Sequence, residues 1–422
     1  MNADCAVAGF DVGKSSSQFC VLAPDGQMHL KPTKIDNNPA GLKSAINTLK
    51  KVEEALGTKP AVVLESTGHY SMRLVHLFIR NDFEVFLINP LQSHSIKNLN
   101  IRKVKTDKID CEEIARLFFI SNLQKFKMPD ENVANLKILT RYHHKFAQKR
   151  VKTMNQLKSC VDQCWPGFTE IFKDIASKTA LSLLHAYPNP AQLLAAPKEE
   201  VITLIKTKSR QGKNYAEKKY RDLKRCAKEA LEFGAQMDAL NTCIKLLVSS
   251  IQEEDEKLKQ LEAEINALAI EIPAVELLKS IPGIGDKLAP TIAAEIGDID
   301  RFKNAKQLVA YCGIDPSVKQ SGKFKGTKNK FTKRGSPHIR RALYIAAMVA
   351  VKKSDKDECV NEVIRDYYQQ KIKNKPKNQA LGAVMNKLVR IIFSVLKSRR
   401  AFVLITPERH KKLYAAGLLP AA

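Results

Sequence analysis

The 422-residue chain lacks the features that would place it among membrane or secreted proteins. No apolar run reaches the ~18 residues that a membrane-spanning helix needs, so a transmembrane span is excluded and no membrane partner is expected. The N-terminus carries Asp4 and no basic start, which argues against a secretory signal. The nine cysteines form no repeated CxxC pattern, which favours reduced thiols in a cytoplasm over a disulfide framework.

Acidic residues are scarce relative to basic ones. Lys and Arg number 70 against 44 Asp and Glu, which gives a net charge of +26. This excess points to a polyanionic partner, and nucleic acid is the usual one because each neutralised phosphate releases a condensed counterion. We therefore expect a cytoplasmic, nucleoid-associated protein. An acidic membrane surface is the competing interpretation.

Short apolar runs alternate with turn signals over the first 128 residues. Three strands are predicted first, then a helix, and then strands and helices in alternation. The predicted strands are 5–12, 18–23, about 27–35, 60–65 and 84–88, and the last predicted helix is 105–120. This element order predicts a mixed sheet covered by helices, which is the order of the RNase H-like (RuvC-like) fold.

The rest of the chain is predicted to be helical, so the fold class is α/β plus all-α. A heptad of apolar residues runs from Leu240 to Ile272 and is broken only at Glu254. The heptad favours a coiled coil, either between chains or in an intrachain hairpin. We predict three domains: a mixed-sheet domain over 1–128, a helical and coiled-coil region over 129–272, and a mostly helical domain over 273–422.

Four carboxylates stand where a metal-dependent enzyme would carry them. Asp11 and Glu65 each end an apolar run, whereas Asp107 and Asp110 open the last predicted helix of the first domain. The i, i+3 spacing of the helical pair puts both on one face. Acids at the ends of buried strands are costly unless a cation compensates them, and hard divalent metals prefer oxygen ligands.

These acids also have a structural interpretation, residue by residue. Asp107 can be a helix N-terminal acid, and Asp110 can pair with Lys108 or Arg102. The four together, in this element order, predict a metal site, because two-metal catalysis needs several carboxylates converging on one point.

Two segments of the C-terminal domain could bind a phosphate backbone. Gly283 and Gly285, in Ile281-Pro282-Gly283-Ile284-Gly285, resemble a helix-hairpin-helix element whose backbone N–H groups bind DNA. A plain tight turn is the alternative. Residues 301–341 carry 12 Lys and Arg against one acid, Asp315. Within them, a serine next to glycine in Gln320-Ser321-Gly322-Lys323 could attack a phosphodiester, although by itself the motif is far more typical of a surface loop.

An ordered set of motifs spans nearly the whole chain. The set consists of Phe10-Asp11-Val12-Gly13-Lys14, Glu65-Ser66-Thr67-Gly68, Lys105-Thr106-Asp107-Lys108-Ile109-Asp110, the Ile281–Gly285 hairpin, and Ser321-Gly322 followed by Lys333-Arg334-Gly335. It resembles the insertion-sequence transposases that join an N-terminal RuvC-like DEDD domain to a C-terminal transposase domain. The pilin-gene invertases share this architecture.

The resemblance carries implications for chemistry and partners. It implies that Asp11, Glu65, Asp107 and Asp110 bind Mg²⁺ and that Ser321 is a nucleophile forming a transient covalent link to DNA. In the insertion-sequence branch, a structured noncoding RNA encoded by the element pairs with donor and target DNA. There the active site is composite, with acids from one subunit and serine from another, within a tetramer. One local departure is Thr332, where the family pattern has serine.

Together these observations predict an RNA-guided, serine-dependent DNA recombinase that excises and inserts its own mobile element. The expected partners are donor and target DNA, a guide RNA and further copies of the chain, as a dimer or tetramer. Backbone contacts to DNA are predicted for Lys323, Lys325, Lys333 and Arg334. The alternatives are a site-specific invertase without a guide RNA, a metal-only junction-resolving nuclease, and a non-catalytic nucleic-acid-binding protein.

Overall fold

The computed structural model describes residues 4–66, 68, 70–88, 107–121, 123–235, 237–317, 320–321, 324–325, 330–353, 360–405, 408–409, 412 and 415–416. For residues 107, 108, 320, 321, 324 and 325 it describes the backbone alone. The chain divides into two compact units, Met1–Met128 and Pro129–Ala422. The predicted second boundary, at 272/273, stays a prediction.

The first unit is built on a five-stranded mixed sheet of order β3-β2-β1-β4-β5. Its strands are β1 (Val7–Val12), β2 (Ser16–Leu22), β3 (Met28–Asp36), β4 (Ala61–Glu65) and β5 (Val85–Ile88). The first three strands form an antiparallel meander, and β4 and β5 add to β1 in parallel. The predicted mixed sheet followed by a mostly helical chain is thereby confirmed.

Helices cover the two faces of this sheet. They are α1 (Pro39–Leu56), α2 (Tyr70–Arg80) and α3 (Asp107–Ile120). Residues two apart on a strand share a face, so each central strand feeds two separate cores. Phe10, Leu49 and Phe78 lie in the core with α1 and α2, whereas Val7 and Ile114 lie in the core with α3. A sheet buried on both faces explains why β1 and β4 are apolar almost throughout.

Over the residues that the structure describes, the second unit consists of helices, one short β-hairpin and the segments that connect them. Its helices are α4 (Glu131–Cys164), α5 (Phe168–Ile171), α6 (Lys178–Ala186), α7 (Pro190–Ala195), α8 (Lys198–Ser209), α9 (Lys213–Phe233), α10 (Asp238–Ile270), α11 (Pro273–Lys279), α12 (Ala289–Ile296), α13 (Ala305–Tyr311), α14 (Pro337–Ala350), α15 (Glu362–Ile372) and α16 (Lys377–Ser398). The hairpin strands are β6 (Gln320–Ser321) and β7 (Phe324–Lys325). The long helix α4 contributes Leu136 to one hydrophobic core and Leu157 to the other.

The heptad segment forms α10, which packs along α4 of the same unit. The helices are antiparallel, since Arg150 pairs with Asp255 and His143 pairs with Glu262. Glu254, the break in the heptad, is buried and accepts a 3.2 Å hydrogen bond from the Thr153 hydroxyl. The heptad thus has an intrachain partner, and a buried polar layer of this kind fixes the register of a helix pair.

One described helix, α16, is long and apolar enough by composition to span a membrane. Its residues Val384, Leu388 and Ile392 are buried in the core that α11 to α14 share with it. Packing within the second unit therefore accounts for its apolar character.

Candidate active site

Two of the predicted carboxylates lie side by side near one edge of the sheet. β1 and β4 run parallel with Phe10 opposite Leu64. Asp11 and Glu65 are the next residues of the two strands, and both are half-buried. Parallel strands end at the same edge, so the side chains occupy neighbouring positions there.

Both side chains face helix α3. Val7 and Val63 lie in one hydrophobic core with Ile114 of that helix. Asp11 and Glu65 follow these valines at even spacings along their strands, so they point to the same face. The acids that end the strands and the helix that carries the other two acids therefore share one side of the sheet.

Gly9 lets α3 approach β1 closely. A Cβ on Gly9 would lie 2.3 Å from the carbonyl oxygen of Cys111 and 2.6 Å from the backbone nitrogen of Ala115. Such distances exclude any side chain at position 9 without displacement of the helix. Asp110 precedes Cys111 and is buried, with 7% exposure. The contact thus brings the turn of α3 that carries Asp110 towards β1 at Gly9, which is two residues from Asp11 on that strand.

The fourth acid, Asp107, is the first residue of α3. Its side chain lies outside the described residues, so its convergence with the others stays a prediction. Among the side chains that the structure does describe, no three His, Cys, Asp or Glu residues form a ready-made metal site. The described part of the cluster is therefore a set of carboxylates on one face and edge, without a closed coordination shell.

Gln18 adds an oxygen to this acidic edge. It lies directly across from Asp11 on β2. Its Oε1 atom is buried and has no hydrogen-bond partner within the described part of the chain. A buried, unpaired carbonyl oxygen is costly and is expected to have a partner in the working state. The sequence prediction missed Gln18, although the turn at Gly13 could have suggested its pairing with Asp11.

The donor chemistry of this edge fits a hard divalent cation. Mg²⁺ prefers oxygen ligands, and this edge offers the side-chain oxygens of Asp11, Glu65, Asp110 and Gln18. The amide oxygen of Gln18 has no hydrogen-bond partner among the described residues and can accept a metal ion. The thiols of Cys20 and Cys111 lie in the hydrophobic core on the same face of the sheet. The Cys20 thiol hydrogen-bonds to that of Cys111, and this contact together with burial raises the pKa of Cys20. Thiols that stay protonated are packing groups and not metal ligands.

Ser321 lies on a β-hairpin of the second unit. The β6–β7 register pairs Ser321 with Phe324. Gly322 and Lys323 lie outside the described part of the chain, as do the side chains of Ser321 and Lys325. The predicted roles of Ser321, Lys323 and Lys325 therefore stay predictions.

The base of this loop is closed by several hydrogen bonds. Ser317 donates its N–H to the carbonyl of Lys330 at 2.8 Å, and Thr332 donates its N–H to that of Asp315 at 3.0 Å. The Thr332 hydroxyl also donates to the Asp315 carboxylate at 2.6 Å. The hydroxyl at position 332 thus holds the two chain segments together where the loop begins and ends.

The segment Lys333-Arg334-Gly335 follows directly. Lys333 adopts the left-handed conformation with φ 55°, and both it and Arg334 are exposed. A Cβ on Gly335 would lie 1.9 Å from the Tyr311 carbonyl oxygen, so only glycine fits. The Ser336 N–H donates to that carbonyl at 3.0 Å and ties the segment to α13.

Glu295 of α12 anchors the same region from inside. Its side chain is fully buried and accepts hydrogen bonds from Arg141 Nε at 2.6 Å and Nη2 at 3.0 Å. The Ser336 hydroxyl donates to it at 2.9 Å. Burial works to raise the pKa of Glu295, but the Arg141 hydrogen bonds and the Lys137 charge outweigh burial and lower it. An acid inside the apolar run 289–296 was the sequence signal for this anchor, and the sequence prediction missed it.

The two glycines of the predicted DNA-binding hairpin have different surroundings. Gly283 has φ +103°, and a Cβ there would lie 3.0 Å from Ala350 Cβ. Position 283 therefore requires glycine for packing against α14. Gly285 has open space at its Cβ position. Contact of either residue with DNA stays a prediction.

Comparison with known proteins defines the class. Residues 8–166 match a DEDD-type transposase family model, described as "Transposase", and residues 275–369 match one described as "Transposase IS116/IS110/IS902 family". The first match contains the sheet with its acidic edge, and the second contains the serine hairpin. The chain therefore combines the two parts of a DNA transposase.

Two relatives of known name align along nearly the whole chain, and a third aligns along part of it. The "Insertion element IS110 uncharacterized 43.6 kDa protein" of Streptomyces coelicolor is 25% identical over 92% of this chain and 93% of its own length. The "Pilin gene-inverting protein" of Moraxella bovis is 24% identical over 93% of this chain and 96% of its own length. The "Transposase for insertion sequence element IS1111A" of Coxiella burnetii is 27% identical over 42% of this chain and 46% of its own length. The chain belongs to the IS110/IS116 transposase family.

Proposed function

We propose that this transposase excises and inserts its own mobile element by Mg²⁺-dependent, serine-mediated strand cleavage and transfer, guided by a structured noncoding RNA. The main support for the proposal is that Asp11, Glu65 and Asp110 lie together on one face and edge of the sheet. The same chain also has the β6–β7 hairpin with Ser321. Donor and target DNA are the substrates. The chain works as a dimer or tetramer on the DNA of the nucleoid.

Asp11, Glu65, Asp107 and Asp110 hold the metal, and Gln18 supplies a further oxygen beside Asp11. When bound, Mg²⁺ supplies positive charge that stabilises the negative charge developing on the scissile phosphate. Because carboxylates of like charge are gathered on this face, an ion of opposite charge stabilises their arrangement as well as serving the chemistry.

Ser321 is the nucleophile. Its hydroxyl oxygen bonds to phosphorus as the bond from phosphorus to the leaving DNA oxygen breaks, and the hydroxyl proton ends on the leaving oxygen. One phosphoester replaces another, so the bond energy is preserved for strand transfer. The Thr332–Asp315 hydrogen bond and the Glu295–Ser336 hydrogen bond hold the base of the loop that carries this serine. Lys325, Lys333 and Arg334, with Lys323, contact the DNA backbone.

A site-specific DNA invertase without guide RNA is the second candidate. The relative named as a pilin gene-inverting protein, which aligns over 93% of this chain, favours it. Purification of the transposase from cells that carry the whole element separates the two functions. Co-purification of one structured RNA encoded beside the gene supports the guided recombinase, whereas active protein free of RNA supports the invertase.

A recombination assay on a plasmid carrying the element ends tests the catalytic assignment. Ser321→Ala is expected to abolish recombination, and Ser317→Ala, a serine at the base of the same loop, is the matched control. Recombination by Ser321→Ala at the control's level would contradict the serine mechanism. Cleavage without recombination in Ser321→Ala would instead identify a metal-only, junction-resolving nuclease.

A further inference from the structure

A second like-charged cluster lies in the second unit, on adjoining surfaces of α4 and α14, and is here named the α4–α14 basic face. Its residues are Lys137, Arg141, His144, Lys145, His338 and Arg341. The two helices meet through the rings of His144 and His338, whose centroids are 5.8 Å apart and nearly perpendicular. The four α4 residues recur at helical spacing, so they project from one side of that helix.

Among the residues that the structure describes, this face has a single internal counter-ion. Glu295 is the carboxylate that faces it, and both of its oxygens are already engaged by Arg141 and Ser336. Among the described residues, Lys137, Lys145 and Arg341 form no salt bridge with a carboxylate. His143, which precedes His144 on α4, pairs with a different carboxylate. Its Nε2 atom lies 3.3 Å from Oε1 of Glu262. The positive charge of the face therefore exceeds what the unit itself neutralises.

The two histidines of the face are also surrounded by more positive than negative charge. His144 Nδ1 is buried and has no hydrogen-bond partner among the described residues. Burial first, and then the charges of Arg341, His338 and His143, lower the pKa of His144. Burial lowers the pKa of His338, as do Arg141, Lys145 and Lys137, whereas Glu295 opposes the shift. Binding of an anion favours the protonated form of both rings, so both can take up a proton when an anion binds.

We propose that the α4–α14 basic face binds the phosphodiester backbone of a nucleic acid. Arg141 is held in place by Glu295 while its side chain keeps 40% exposure, so it is positioned before the ligand binds. From Lys137 to Lys145 the helix rises about 12 Å. That length matches the axial rise of three to four nucleotides at about 3.4 Å each along a strand.

This inference rests on the proposed function only for the choice of nucleic acid as ligand. Fixed cations with nearby histidines bind phosphate regardless of base sequence, so the face contributes affinity and not specificity. DNA and RNA offer the same phosphate chemistry. Binding also takes up protons, because the phosphate charge raises the pKa of both histidines, and affinity is expected to rise as pH falls from about 7.5 to 6.

Binding of an arbitrary 20-base-pair DNA duplex and of an RNA duplex of the same sequence, with EDTA present, tests the proposal. The full-length double variant Lys145→Ala/Arg341→Ala is compared with Lys224→Ala/Lys228→Ala, which removes two exposed lysines of α9. The basic-face variant is expected to bind at least one duplex about tenfold more weakly, with a salt slope smaller by about two. The α9 control is expected to change binding less than twofold.

A loss on DNA alone or on RNA alone identifies the source of the phosphate, and a loss on both shows a shared backbone site. Equal losses in the basic-face and α9 variants would overturn the proposal. His144→Asn/His338→Asn is expected to abolish the pH dependence of binding, whereas His185→Asn, an exposed histidine of α6, keeps it. An unchanged pH dependence in the double histidine variant would also overturn it. Because EDTA prevents metal-dependent cleavage, failure here is distinct from failure of the catalytic assignment.

Discussion

The two units gather charge of opposite sign. In the first, Asp11, Glu65 and Asp110 share one face and edge of a sheet, with the unpaired oxygen of Gln18 beside them. In the second, the α4–α14 basic face gathers cations around one buried carboxylate, with the unpaired nitrogen of His144 among them. Within the described part of the chain, each cluster has a polar atom without a hydrogen-bond partner, and it is of the type that the expected ligand needs. For a cation this atom is an oxygen, and for an anion it is a nitrogen that can be protonated.

The buried acid of the second unit sharpens this contrast. Glu295 is neutralised inside the protein by Arg141 and Ser336, so it serves structure. The acids Asp11, Glu65 and Asp110 lie on one face and edge of the sheet, and like charges brought together favour binding of a cation. A buried carboxylate is therefore not a sign of catalysis in itself. Its immediate neighbours decide whether it is an anchor or a ligand.

The largest effect is expected from Asp110→Asn. Under the proposed function, loss of this carboxylate removes a metal ligand, and metal stabilisation of a transition state is worth several kcal/mol. We expect recombination to fall about a thousandfold, which corresponds to about 4 kcal/mol. Glu54→Gln, an exposed acid on α1, is the control. Full activity of Asp110→Asn would remove Asp110 from the site.

Glu295→Ala is expected to act on stability. It leaves Arg141 and Ser336 without their partner, and breaking a buried ion pair costs about 3–5 kcal/mol. The lower end applies because the Arg141 side chain is 40% exposed. Urea unfolding of the full chain measures the change, with Glu256→Ala, an exposed acid of α10, expected to stay within about 0.5 kcal/mol. Equal stability of the two variants would mean that Glu295 is not an anchor.

Gln18→Leu tests whether the acidic edge binds metal through more than its carboxylates. Loss of a neighbouring oxygen is expected to weaken Mg²⁺ binding about 10- to 100-fold, as for other groups that support metal ligands. The rise in thermal unfolding temperature with Mg²⁺ concentration measures this affinity without any DNA. Gln27→Leu, an exposed residue between β2 and β3, serves as control. Identical titrations for both variants would exclude Gln18 from the site.

The smallest effect is expected from pH. The pKa of Glu295 lies below its ordinary value of 4.5 in the folded chain. Its contribution to stability is therefore present above the unfolded-state pKa and is lost as pH falls below about 4.5 through the folded value. Glu295→Gln, which keeps the shape but not the charge, is expected to flatten the dependence of unfolding free energy on pH in this window. A parallel profile for both proteins would contradict this linkage.

Sequence patterns predicted the elements better than the contacts between them. Alternation and turn residues predicted the five strands and their mixed order, because a buried sheet demands apolar runs. The apolar heptad predicted helix α10 but left its partner open, since periodicity shows which face is buried and not what covers it. The antiparallel packing on α4 depends on contacts such as Arg150 with Asp255, which lie far apart in the sequence.

The candidate site shows the same limit. Asp11 and Glu65 were recognisable because each ends an apolar run, and parallel pairing brings such ends together. Gln18 was missed because its importance comes from Asp11 on the neighbouring strand. Glu295 was missed because its partner, Arg141, lies on a helix more than a hundred residues earlier in the sequence. Single polar residues inside apolar segments carry a sequence signal, but only the fold shows which partner they have.

The most direct measurement is to trap and map the protein–DNA linkage. The transposase is incubated with Mg²⁺ and DNA carrying the element ends, denatured, digested and examined by mass spectrometry for a nucleotide attached to a peptide. We predict a phosphoester on Ser321 that is absent from Ser321→Ala and retained by Ser317→Ala. Efficient recombination with no adduct, or an adduct on another residue, would contradict the account.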